Sequence, residues 1–129
     1  MRAMSTPATP AGRARLWVGV WGGAVAWFVH LAGAYSIAEF GCVASWGGWR
    51  ILGLTAVSWA ILATTLVTLA ATALAGWLAW RGYQAAGEDG SEEQQATRGM
   101  AKIGLILDGL FAFAIALQTV PILFFLTAC

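Results

Sequence analysis

Charge is what this chain has least of. Lys, Arg, Asp and Glu make up 10% of its 129 residues, against 60% hydrophobic. Soluble domains carry about 25% charged and about 45–50% apolar residues, so the balance points into a bilayer. The formal net charge is +1. With no basic cluster, nothing attracts nucleic acid. A single His and two Cys fall short of a structural zinc site, which takes four ligands. No nucleophile is paired with a base, and no glycine motif for phosphate is present. No catalytic residue, no metal site and no enzymatic activity are therefore expected. Internal repeats, common in transporter folds, are also missing.

The scarce charges are segregated. None lies between Leu16 and Glu39, and none between Ile51 and Trp80. Between Ile103 and Cys129 the only one is Asp108. About 20 apolar residues span a bilayer core, and each stretch exceeds that. The sequence thus predicts one all-α, multi-pass membrane domain over 15–129, with three transmembrane helices over about 16–40, 51–80 and 100–126. Residues 1–14, holding Ser5, Pro7, Pro10 and Gly12, read as a disordered leader. Residues 82–99, with Glu88, Asp89, Glu92 and Glu93, read as a solvated loop. The first apolar stretch is far longer than the apolar core of a signal peptide, about 7–15 residues, and is expected to be retained.

Orientation follows from Lys and Arg. Arg2, Arg13, Arg15, Arg81, Arg98 and Lys102 flank the N-terminus and the second loop, whereas the first loop holds only Arg50. The positive-inside rule puts the leader and the loop 82–99 in the cytoplasm and the C-terminus outside. Trp17, Trp21, Trp77, Trp80 and Tyr83 at one interface, and Trp46 and Trp49 at the other, have the placement of aromatic belts. In this orientation Cys42 and Cys129 share the outer face. In an oxidising periplasm they are expected to form a disulfide, provided their Cα atoms come within about 7 Å. Two free thiols are the alternative.

Polar groups inside the spans must face protein, water or a cofactor. His30 lies near the middle of the first helix. It reads as a neutral imidazole bonded across a helix interface, or as a heme or quinone contact. Glu39 is about 13 Å further along the axis and on the opposite side of the helix. Tyr35 shares the face of Glu39. Asp108 and Thr119 fall on one face of the third helix, and Gln118 lies about 80° from Asp108. Thr65, Thr68 and Thr72 share a face of the second helix, and Gly19, Gly22 and Gly23 allow close approach on the first. Pro121 is expected to bend the third helix.

Trp27, His30, Tyr35, Glu39 and Cys42, followed by Gln118, Pro121 and Cys129, form a pattern that resembles small three-helix bacterial membrane proteins associated with respiratory complexes. These are accessory subunits of heme–copper oxidases or of alternative complex III. The resemblance covers the first and third helices. It implies a non-catalytic accessory subunit in the bacterial inner membrane, packed against larger redox subunits and lipids. It implies heme in the partner subunits and no cofactor bound by this chain alone. A homo-oligomeric transporter or channel, and a thiol-dependent assembly factor for an oxidase, are the alternatives.

Overall fold

In the computed structural model, residues 10–87 and 90–125 are described. Three long helices make up nearly all of this: α1 (Pro10–Val43), α2 (Ala56–Ala85) and α3 (Glu92–Phe125). Each is long and apolar enough to cross a membrane. Between α1 and α2 lie a 3-10 turn (Trp46–Gly48) and two antiparallel two-residue strands, β1 (Arg50–Ile51) and β2 (Leu54–Thr55).

The bundle is polar and small inside, apolar outside. Its fully enclosed residues include His30, Thr65, Thr68, Thr72, Asp108 and Thr119, among Ala26, Ala34, Ala75 and Ala79. Phe28, Val67, Phe113 and Phe124 face outward. Water would drive those rings inward, whereas lipid removes that force and leaves packing and internal hydrogen bonds to hold helices together. A bilayer is the solvent that suits this distribution.

Glycines set the register. A Cβ at Gly19 would lie 3.1 Å from Ala79 Cβ, and one at Gly22 only 2.6 Å from Ala75 Cβ. At the other end Gly41 abuts Val57. Helices α1 and α2 are therefore antiparallel. Helices α1 and α3 are parallel: Gly19 faces Gly104 and Gly23 faces Asp108.

The ends differ from the sequence-based boundaries. Helix α1 starts at Pro10 rather than near 16, with proline suited to a first helical turn because its missing N–H has no intrahelical partner there. Of the expected leader, residues 1–9 lie outside the described residues. Residues 51–55 are not helical. Leu52 and Gly53 take positive φ values of 52° and 84°, turning β1 into β2. Thr55 then caps α2 by accepting the Ser58 N–H at 3.2 Å, which fixes the helix start. The Trp59 indole N–H donates to the Ile51 carbonyl at 3.0 Å and braces the hairpin.

About two-thirds of the expected loop 82–99 is helix. Helix α2 ends where Ala86 N–H bonds the Gly82 carbonyl and Gly87 takes φ 57°. Helix α3 begins at Glu92, with Glu92 and Glu93 in its first turn, where acidic side chains oppose the positive end of the dipole. This extension is tied back to α2. The Arg98 guanidinium donates to the Tyr83 hydroxyl at 2.8 Å and sits 4.4 Å from its ring centre. Helix α3 continues through Pro121.

Candidate functional site

Two polar centres occupy the interior, and each joins helices across the bundle. The first forms where all three helices meet. His30 comes from α1, Thr65 from α2 and Thr119 from α3. Imidazole Nε2 lies 3.0 Å from Thr65 Oγ1 and 3.3 Å from Thr119 Oγ1. The two hydroxyl oxygens are 3.1 Å apart.

The protons can be assigned by counting donors. Thr65 directs its hydroxyl to the Ile61 carbonyl at 2.9 Å, and Thr119 directs its own to Ile115 at 2.8 Å. With both protons so directed, the two oxygens offer lone pairs to the ring, which fits the tautomer in which Nε2 is protonated and donates. Nδ1 is buried and unpartnered. Gln118 stands beside the ring, but the two side chains do not reach hydrogen-bond geometry. Gln118 Oε1 is also buried and unpartnered.

The second centre is Asp108, 3% exposed. Its Oδ1 accepts the Gly23 N–H at 2.9 Å. A Cβ on Gly76 would come within 3.9 Å of Oδ2, so glycines from both neighbouring helices make room for the carboxyl group. Oδ2 is buried with no partner.

Asp108→Ala strips the Gly23 N–H of its acceptor and is expected to cost about 1–3 kcal/mol. Asp108→Asn keeps that acceptor and puts an uncharged group in place of the uncompensated oxygen, so it is expected to match or exceed the parent in stability. Unfolding in mixed micelles, followed by tryptophan fluorescence, measures both. Asn behaving as badly as Ala would contradict this account.

Tyr35 and Glu39 join neither centre. Both are exposed on the outward side of α1, Tyr35 at 67%. They line a cleft of about 420 Å³ between α1 and α3, together with Leu31, Ala34, Gln118 and Ile122. Cys42 sits at the mouth of this cleft, in the last turn of α1. Its expected partner, Cys129, lies outside the described residues. A second groove, about 650 Å³, runs between α1 and α2. It is floored by Gly22, Ala26, Ala71 and Ala75 and bordered by Trp21 and Leu74.

Sequence periodicity placed Thr65 and Thr119 on inward faces but did not pair either with His30. That pairing depends on helix register, which the sequence signals only through the positions of Gly19, Gly23 and Gly104. Among the described residues no three His, Cys, Asp or Glu side chains converge as a metal site would require. In comparisons with protein families, curated proteins and solved structures, the chain matches none.

Proposed function

We propose that this chain is a non-catalytic accessory subunit of a bacterial respiratory electron-transfer complex, held in the cytoplasmic membrane against larger redox subunits. The observation that carries the packing role is the groove between α1 and α2. Its floor of Gly22, Ala26, Ala71 and Ala75 is the kind of small-residue surface on which another membrane helix can approach closely. The chain's own polar side chains are largely spent inside the bundle, where the His30 ring bonds both Thr65 and Thr119. That leaves it suited to pack rather than to react. The respiratory setting comes from the resemblance carried by Trp27, His30, Tyr35, Glu39 and Cys42.

In this reading the bundle end bearing Arg13, Arg15, Arg81 and Arg98 is cytoplasmic. The end bearing Cys42 faces the periplasm, where it pairs with Cys129. Alkylation of unreduced, denatured protein followed by mass determination tests the pairing. Two added alkyl groups would rule it out, and none is expected.

The test of the function is a mild-detergent pull-down of the tagged chain, with a reduced-minus-oxidised visible spectrum and identification of what accompanies it. Heme bands together with large oxidase or quinol-oxidising subunits are the expected result. A homo-oligomer without heme would overturn the proposal and favour a transporter. Such a pathway would have to run between copies, because His30, Ile61, Thr65, Ile115 and Thr119 fill the middle of the single bundle, none more than 6% exposed.

A further inference from the structure

We infer that the pocket between the start of α1 and the end of α2 binds the phosphate of an anionic phospholipid, held by Arg15 and Arg81. It lies beyond the groove assigned to a partner helix and shares no lining residue with it. It requires only that the bundle spans a bilayer, and does not depend on the accessory reading.

Helix register builds the pocket. Gly19 against Ala79 and Gly22 against Ala75 fix the antiparallel pairing of α1 and α2. One turn before Gly19, that pairing brings Leu16 to Gly82, where an added Cβ would lie 3.4 Å from Leu16 Cδ2. Arg15 precedes Leu16 and Arg81 precedes Gly82, and both line the same pocket from different helices. Its volume is about 460 Å³, within the range of small-molecule sites.

Its charge selects an anion. Among the described residues no carboxylate lines the pocket, so the charge of the two guanidinium groups is left for a ligand to answer. The Arg81 guanidinium carbon sits 5.0 Å from the centre of the Trp77 ring. That contact steadies a long side chain before any ligand arrives. Guanidinium groups take phosphate oxygens in bidentate pairs, which makes a phosphate ester the matching anion.

Depth selects the lipid. Trp17, Trp77 and Trp80 are exposed at this end of the bundle, and such tryptophans mark the headgroup layer. Lipid phosphates are concentrated at that level. Leu16 and Leu78 also line the pocket and offer an apolar wall to the glycerol backbone and the first acyl carbons. A free phosphate ion would use the arginines and waste that wall. A zwitterionic headgroup brings its own cation, which competes with the arginines. A headgroup of net negative charge uses every part of the pocket, as in other basic pockets between membrane helices.

The experiment titrates the purified full chain, in uncharged dodecyl maltoside micelles, with dioleoylphosphatidylglycerol or dioleoylphosphatidylcholine. The Trp77 indole N–H resonance, assigned with Trp77→Phe, reports occupancy. The expected result is a saturable shift, with the anionic lipid binding about tenfold tighter than the zwitterionic one. Arg15→Gln and Arg81→Gln are each expected to weaken the anionic lipid about fivefold, the effect of one basic residue at an anionic surface. Arg13→Gln removes the same charge from the same turn of α1 but outside the pocket, and is expected to leave binding unchanged. Glycerol 3-phosphate, which carries the phosphate without acyl chains, is expected to give no saturable shift over the same concentrations. Equal affinity for the two lipids overturns the inference. So does an equal loss in Arg13→Gln and Arg15→Gln, which would mean diffuse attraction rather than a site. Glycerol 3-phosphate binding as tightly as the lipid would overturn it too, by making the ligand a free phosphate ester. All three arginines are exposed, so their loss spares the packed interior, and the comparison of the two lipids on the parent chain needs no variant.

Discussion

Replacing His30 with alanine is expected to destabilise the bundle by roughly 3 kcal/mol, among the largest effects of any single side chain here. Two losses combine. The imidazole is 0% exposed, so its removal leaves a cavity at the only place where side chains from all three helices hydrogen-bond one another among the described residues. Thr65 and Thr119 also lose the donor that both oxygens share. His30→Gln brings an amide N–H back to the same region and is expected to recover part of the loss. Thr65→Val and Thr119→Val each remove one acceptor and are expected to cost about 1 kcal/mol. Because the two hydroxyls serve one N–H, the double variant is expected to cost less than the sum of the singles. Unfolding titrations of the five variants in micelles measure this. Strict additivity would mean that the three side chains merely pack together. The same variant bears on the respiratory proposal. With Nε2 committed to two hydroxyls, His30 has no free nitrogen on that side to offer a heme iron. The heme spectrum of the co-purified complex is therefore expected to be unchanged in His30→Ala, and a missing heme band with the chain still bound would make His30 a ligand.

What was legible in the sequence followed from rules that act within one helix. A helix in lipid satisfies its own backbone, so charge-free stretches marked the three spans. A turn of 100° per residue put Asp108 and Thr119 on one face, and Thr65, Thr68 and Thr72 on another. All five are buried. The same rule put Glu39 opposite His30, and the structure has it exposed. What was not legible depends on contacts between elements. The start of α3 at Glu92 is held by Arg98 on Tyr83, across a loop that reads as polar and unstructured. The hairpin at 50–55 depends on a turn at Leu52 and Gly53, and nothing about a leucine signals positive φ. The His30 centre depends on register between helices, set by close approaches at glycine. From the sequence, Gln118 was a neighbour of an acidic face. In the fold it is the wall between His30 and a cleft.

That dependence on register yields the sharpest contrast between two substitutions of the same type on the same helix. Gly104→Ala is expected to destabilise by about 1–3 kcal/mol, the usual cost of overpacking, whereas Gly109→Ala is expected to be neutral or mildly stabilising. A Cβ at Gly104 would meet the Gly19 carbonyl oxygen at 2.7 Å and its carbon at 3.1 Å. These are backbone atoms in the middle of a helix, so relief requires α1 and α3 to move apart. At Gly109 nothing lies within 4 Å, and alanine gains helix propensity of about 1 kcal/mol over glycine. The displacement at Gly104 should also propagate. Gly23 lies one turn along α1 from Gly19, and its N–H bond to Asp108 depends on the same close approach. Further along the same pair of helices, His30 meets Thr119. Gly104→Ala is therefore expected to shrink the penalty of His30→Ala when the two are combined, because the polar contacts will already have been loosened. Unfolding titrations of the two single glycine variants and of Gly104→Ala with His30→Ala measure both effects. Equal stability of Gly104→Ala and Gly109→Ala would show that the α1–α3 contact is not made at this register. The assignment of Gly23 to Asp108 and of His30 to Thr119 would fall with it.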